Sequence, residues 1–192
     1  YLDTTPPTLA FAFAPDGGNG WFKTAPAAGE VTAGDDTAVA AIACVDTRGG
    51  LTQGALEGAE SSSARRPLSV SGDAADHGIT CTATDSAGNS AQASVVVKLD
   101  TTAPVASASA SPAPNAAGWS NAPVTVSFSG TDAGSGIAEC SAPETISAET
   151  AGTTASGACT DRAGNTSAAV SLTVKIDLTA PTISSTRTPE PN

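Results

Sequence analysis

Apolar and polar side chains alternate with period two in several short stretches, the pattern of strands with one buried face. Val170, Leu172, Val174 and Ile176 fall on one side, and Ser171, Thr173 and Lys175 on the other. Ala93, Val95, Val97 and Leu99 repeat that pattern. Ile79, Cys81 and Ala83 precede them across a turn rich in Gly and Asn, which predicts a hairpin. Leu9, Phe11 and Phe13, then Leu68 and Val70, then Val124, Val126 and Phe128 add further strands. Ala27 to Ala33 is poorly patterned, and a strand there rests only on its correspondence with the one around Val126. No helical period competes, so the chain is expected to be all-β.

The strand pattern occurs twice because the sequence does. Leu2-Asp3-Thr4-Thr5-Pro6-Pro7 returns as Leu99-Asp100-Thr101-Thr102-Ala103-Pro104 and as Ile176-Asp177-Leu178-Thr179-Ala180-Pro181. Other landmarks keep their order: Gly20-Trp21 with Gly118-Trp119, Gly34-Asp35-Asp36 with Gly130-Thr131-Asp132, and Ile42-Ala43-Cys44 with Ile137-Ala138-Glu139-Cys140. Thr84-Asp85-Ser86-Ala87-Gly88-Asn89 matches Thr160-Asp161-Arg162-Ala163-Gly164-Asn165. Such self-similarity marks a tandem array. Units are expected at 1–99 and 100–177, with 178–192 opening a third, since Thr188-Pro189-Glu190-Pro191-Asn192 copies Ser111-Pro112-Ala113-Pro114-Asn115. The first unit is longer between Cys44 and Asp85 than the second between Cys140 and Asp161, and the insertion falls within 45–78, read as a loop or short added hairpin.

Composition narrows the function classes. A net charge of -11 repels phosphate backbones, so no nucleic-acid partner is expected. No apolar run approaches the ~20 residues of a membrane-spanning helix, so no membrane insertion is expected in this segment. Methionine is absent and the chain opens at Tyr1, which reads as an excised piece of a longer protein. His77, the one histidine, lies in a loop-like stretch of one unit only, and neither a Gly-x-Ser-x-Gly elbow nor a phosphate-cradling Gly-Lys-Ser/Thr motif occurs. No enzymatic activity is expected. Arg65 and Arg66 read as a solvated loop, and Trp21 and Trp119, in matched turns, as plugs at the end of each unit rather than sugar-stacking platforms.

Several short strands per unit with frequent turn signals predict an immunoglobulin-type β-sandwich of about seven strands. The ordered Asp-Thr-Thr-Ala-Pro junctions, Gly-Trp turns and Thr-Asp-x-Ala-Gly-Asn hairpins resemble the bacterial immunoglobulin-like tandem repeats of secreted and cell-surface proteins. That resemblance implies an extracellular spacer, stalk or adhesive module. Its partners would be neighbouring repeats and a cell-surface glycan or protein, with a binding accessory module of a secreted enzyme or a filament subunit as the alternatives. In this fold the cysteines fall on the neighbouring third and sixth strands, pairing Cys44 with Cys81 and Cys140 with Cys159 and implying an oxidising compartment. The fold also gathers Asp3, Asp36 and Asp85 with Asn89 at one pole of the first unit, and Asp100, Asp132 and Asp161 with Asn165 in the second. Oxygen-rich sets of this kind suit Ca²⁺, against the alternative that each residue serves its own turn. Asp16, Asp73 or Asp76 would join the junction from the opposite pole of the first unit.

Overall fold

The computed structural model describes residues 2–187 and contains strands and one 3₁₀ turn, Gly18–Gly20. The first unit consists of β1 (Thr8–Phe13), β2 (Trp21–Phe22), β3 (Ala27–Asp46), β4 (Leu51–Gln53), β5 (Ser61–Val70), β6 (Ala74–Asp85) and β7 (Ser90–Leu99). The long β3 belongs to two layers. Its first half pairs with β1 and β5, its second half with β6, and the register shifts between Gly34 and Val39 where the strand passes across. One layer is thus β1-β3-β5-β4 and the other β3-β6-β7-β2, with β2 running parallel to β7. Between them Val31, Ile42, Leu68, Val70, Ile79 and Leu99 are buried.

The second unit repeats this with β8 (Val105–Ser111), β9 (Val124–Thr131), β10 (Ile137–Cys140), β11 (Glu144–Ile146), β12 (Thr150–Gly157), β13 (Cys159–Asp161) and β14 (Val170–Ile176). Here the ladders are β8-β9-β11 on one side, and β10-β13 with β12-β14 on the other. The strand that corresponds to β6 is broken at Ala158, whose N–H turns aside to the Ser141 hydroxyl. A separate core of Val124, Val126, Ile146, Ala155, Val174 and Ile176 fills this unit. Among the described residues no ladder joins β1–β7 to β8–β14. The chain is an all-β, immunoglobulin-like sandwich architecture.

The weakly patterned segments take definite form. The weakly patterned Ala27–Ala33 segment is the first part of the longest strand, because Ala27, Val31 and Ala33 suffice to bury one face under the longer β5. Within 45–78, of the loop or added hairpin expected, the hairpin is present: β4 pairs antiparallel with β5, which lengthens the ladder on β3. Arg65 accordingly stands on β5, paired with Glu57 at 2.6 Å and Glu30 at 3.7 Å. His77 is likewise on β6 and buried. Residues 178–187 form no strand, having no ladder partner among the described residues, and the Thr188–Asn192 motif lies outside them.

Candidate functional site

Turn chemistry places one aspartate on each of three segments at the same pole of each unit. In the first, Asp3 accepts from the Thr5 N–H, Asp35 from the Thr37 N–H, and Asp85 from the N–H groups of Ala87 and Asn89, all at 2.8 to 2.9 Å. These are Asx turns, the reason aspartate suits such corners. In the second unit Asp100 accepts from Thr102 and Ser135, Asp132 from Gly134 and Gly136, and Asp161 from Gly164 and Asn165. Each trio brings three carboxylate oxygens within 4.8 Å of one another. Asp100 and Asp161 are buried, as is Asp85. Burial works against the Asp85 carboxylate, but the Asn89 side chain and the N–H groups of Asn89, Gly88 and Ala87 outweigh it and hold its pKa below the ordinary value.

The first trio differs from the expected one. Asp35 joins Asp3 and Asp85, while Asp36 is exposed and outside the set. The turn that Asp35 opens onto Thr37 sits where β3 crosses between layers, and it sends adjacent side chains opposite ways. A signal was available: Leu2 to Leu99 and Asp3 to Asp100 are both 97 positions, and the same step leads from Asp35, not Asp36, to Asp132. Asn89 and Asn165 stand beside the trios with Nδ2 turned inward. Each donates to its aspartate, Asp85 or Asp161, at 2.8 Å and to the carbonyl of the entering segment, Asp3 or Asp100. They brace the set rather than add an oxygen to it. One carboxylate oxygen, Asp35 Oδ2, is buried without a hydrogen-bond partner.

The second trio borders the contact between the units. The Asp100 N–H donates to the Phe22 carbonyl at 2.9 Å, and Asp73 takes the hydroxyls of Thr101 and Thr102 at 2.8 to 3.1 Å. The Gly18 N–H donates to the Ala163 carbonyl at 2.9 Å, and Asn19 to that of Arg162 at 3.2 Å. Side chains are barred from this approach. A Cβ on Gly17 would lie 2.3 Å from the Ala163 oxygen, and one on Gly18 2.7 Å from that of Arg162. Asp73 is thus the junction residue among the three expected; Asp16 instead caps its own loop through the Lys23 N–H, and Asp76 pairs with Arg48.

The remaining candidates are structural. Disulfides join Cys44 to Cys81 and Cys140 to Cys159, directly across neighbouring strands. Trp21 is 7% exposed with Lys98 over its ring, whereas Trp119, under Lys175, is only half-buried. His77, missed by its loop-like sequence, sets Nδ1 2.9 Å from Asp46 and Nε2 2.7 Å from the Gly72 carbonyl. Desolvation opposes the Asp46 charge, yet the Arg48 N–H, His77 and the Gly50 N–H prevail and lower its pKa.

No family model matches the chain, and no curated protein does. Among solved structures it is similar to one described as structures of Clostridium thermocellum CbhA fibronectin(III)-like modules. The identity is 13% and the TM-score 0.38, over 87% of this chain and 94% of that one. Likeness at that level carries no functional argument. Among the described residues no helix is long and apolar enough to cross a membrane.

Proposed function

We propose that the chain is a non-catalytic extracellular spacer of a bacterial surface or secreted protein, built of two immunoglobulin-like domains, 1–99 and 100–177. The junction carries this reading. A flexible linker would leave Asp100 to Thr102 free, whereas here the segment is held by the Phe22 carbonyl and the Asp73 carboxylate. Gly17 and Gly18 also bring the backbones of the two units into contact. A docked joint transmits orientation, which a stalk requires and a tethered pair of binding domains does not. Two internal disulfides suit an oxidising compartment. The test is the rotational correlation of the two units by NMR relaxation. One common tumbling time is expected, and two independent times would defeat the proposal.

Calcium belongs to the same reading. Three converging carboxylates per pole offer the hard oxygen donors that Ca²⁺ takes, and Asp35 Oδ2 is buried with no other partner. A bound cation at Asp100, Asp132 and Asp161 would stiffen the joint beside it. Calcium is expected to raise the melting temperature and Asp132→Asn to weaken that response. An identical melt after exhaustive EDTA treatment would remove calcium and leave the spacer reading intact.

A further inference from the structure

The two cores share a frame but not their bulk. The β1–β3 ladder sets Phe13 opposite Gly29 and Phe11 opposite Val31. The same ladder positions on β8–β9 set Ala110 opposite Val126 and Ala108 opposite Phe128. In the first unit the Phe13 ring lies over Gly29, where a Cβ would come within 2.3 Å of it, and meets Phe22 edge-on with centroids 6.3 Å apart. The counterpart of Phe22 is Ser120. Each follows the matched tryptophan, and each carbonyl accepts the N–H of the next junction aspartate, Asp100 or Asp177, at 2.9 Å. Where the first unit stacks two rings, the second has a methyl group and a hydroxymethyl group.

The bulk is not restored from elsewhere. Phe128 packs instead over Gly157, whose Cβ would lie 2.6 Å from its ring. What is left is a cleft of about 220 Å³, open to solvent, whose lining includes Ala108, Ala110, Ser120, Val124, Leu172 and Val174. It lies between β8 and β14, which form no ladder with each other, so entry requires no strand to separate. Atoms lining such a void forgo dispersion contacts that a guest would supply. Apolar cavities of about 150 Å³ already admit benzene.

We infer that this cleft is a binding site for a small molecule carrying one aromatic ring, the group that the first unit supplies to the same place from its own chain. Ser120 adds a polar point to the lining. Its backbone N–H and carbonyl are engaged with Lys175 and Asp177, and Ser120 lines the cleft, so a phenol, which can exchange a hydrogen bond with a hydroxyl, is favoured over an unsubstituted ring. The site depends on the packing of one unit and not on the joint.

Phenol is the probe. Titrated into the isotopically labelled chain, it is expected to shift the methyl signals of Ala108, Ala110, Leu172 and Val174 saturably and to leave those of Leu9 and Val31 in place. Ala110→Phe, which installs the first unit's residue, is expected to weaken binding about tenfold or more. Ala110→Leu, a smaller plug, serves if the phenyl group disturbs folding. Shifts that do not saturate, that spread over both units, or that persist in both variants would overturn the site. Equal affinity for cyclohexanol would overturn the aromatic class.

Discussion

The first unit closes its sandwich with rings and a continuous strand, and the second does so with methyl groups and a broken one. Phe13 packs over Gly29 and meets Phe22 edge-on, Phe11 stands opposite Val31, and β3 runs unbroken from Ala27 to Asp46. In the second unit Ala108, Ala110 and Ser120 take the matched positions, β9 and β10 are separate, and Ala158 interrupts the strand that carries Cys159. Both nevertheless keep the cross-strand disulfide, the carboxylate trio and the Asx turn at the junction, which recurs a third time as Thr179 N–H to Asp177 at 3.0 Å. Ends and staple are held constant while the bulk of the core differs. An immunoglobulin-like frame is therefore set by where its strands turn and cross more than by which of its inward residues is large.

The contrast is broken most severely at the disulfides. Closing loops with separations of 37 and 19 residues contributes about 3 to 4 kcal/mol each by chain entropy. The smaller core should depend on its bridge more. Replacing Cys140 and Cys159 by serine is expected to unfold the second unit near ambient temperature, while the same change at Cys44 and Cys81 leaves a cooperative, lower-melting first unit. Calorimetry would resolve the two transitions.

Exchanging bulk inside the first core sharpens the comparison. Gly29→Val alone drives a side chain into the Phe13 ring and is expected to cost about 1 to 3 kcal/mol. Combined with Phe13→Ala, which recreates the second unit's Ala110 and Val126, the loss should be smaller than the two single losses together. Additive losses in urea unfolding would show that the two cores are not alternative solutions to one packing problem.

Smaller effects are expected at the joint and on acidification. The second unit's loop has Asn115 and Ala116 where the first has Gly17 and Gly18, with the Asn115 N–H bonded to Trp119 as that of Gly17 is to Trp21. Gly18→Ala, placing a methyl group against the Arg162 carbonyl, should leave both melting transitions within about 0.5 kcal/mol yet separate the tumbling of the units. Asp46 and Asp85 both have pKa values lowered by folding. Their contribution is complete above the ordinary carboxylate pKa and is lost as pH falls through their depressed values, so the first unit's melting temperature should decline on acidification below about pH 4. Asp85→Asn should flatten that decline.

Much of the molecule was legible in the chain. Period-two stretches located most inward faces, and the paired cysteines followed from their places on adjacent strands. The repeat showed that three turns at one pole carry aspartate. The misreadings share a cause. Gly34-Asp35-Asp36 resembles Gly130-Thr131-Asp132 in a way that aligns Asp36 with Asp132, whereas the turn at the β3 crossover decides which side chain faces inward. His77 looked loop-bound because its neighbours Asp73, Asp76 and Gly78 are turn formers, and its partner Asp46 lies 31 residues away.

Local pattern, then, determined the class of fold and the repeat, because strand period and turn chemistry act over a few residues, and the bridges followed once the fold placed two cysteines of each unit on neighbouring strands. The joint, the composition of each trio and the cleft of the second unit were decided by tertiary structure alone. A close approach of Gly18 to Ala163, or a ring displaced from Phe13's place to Phe128's, is a relation between segments far apart in sequence, and it takes shape only when the layers pack.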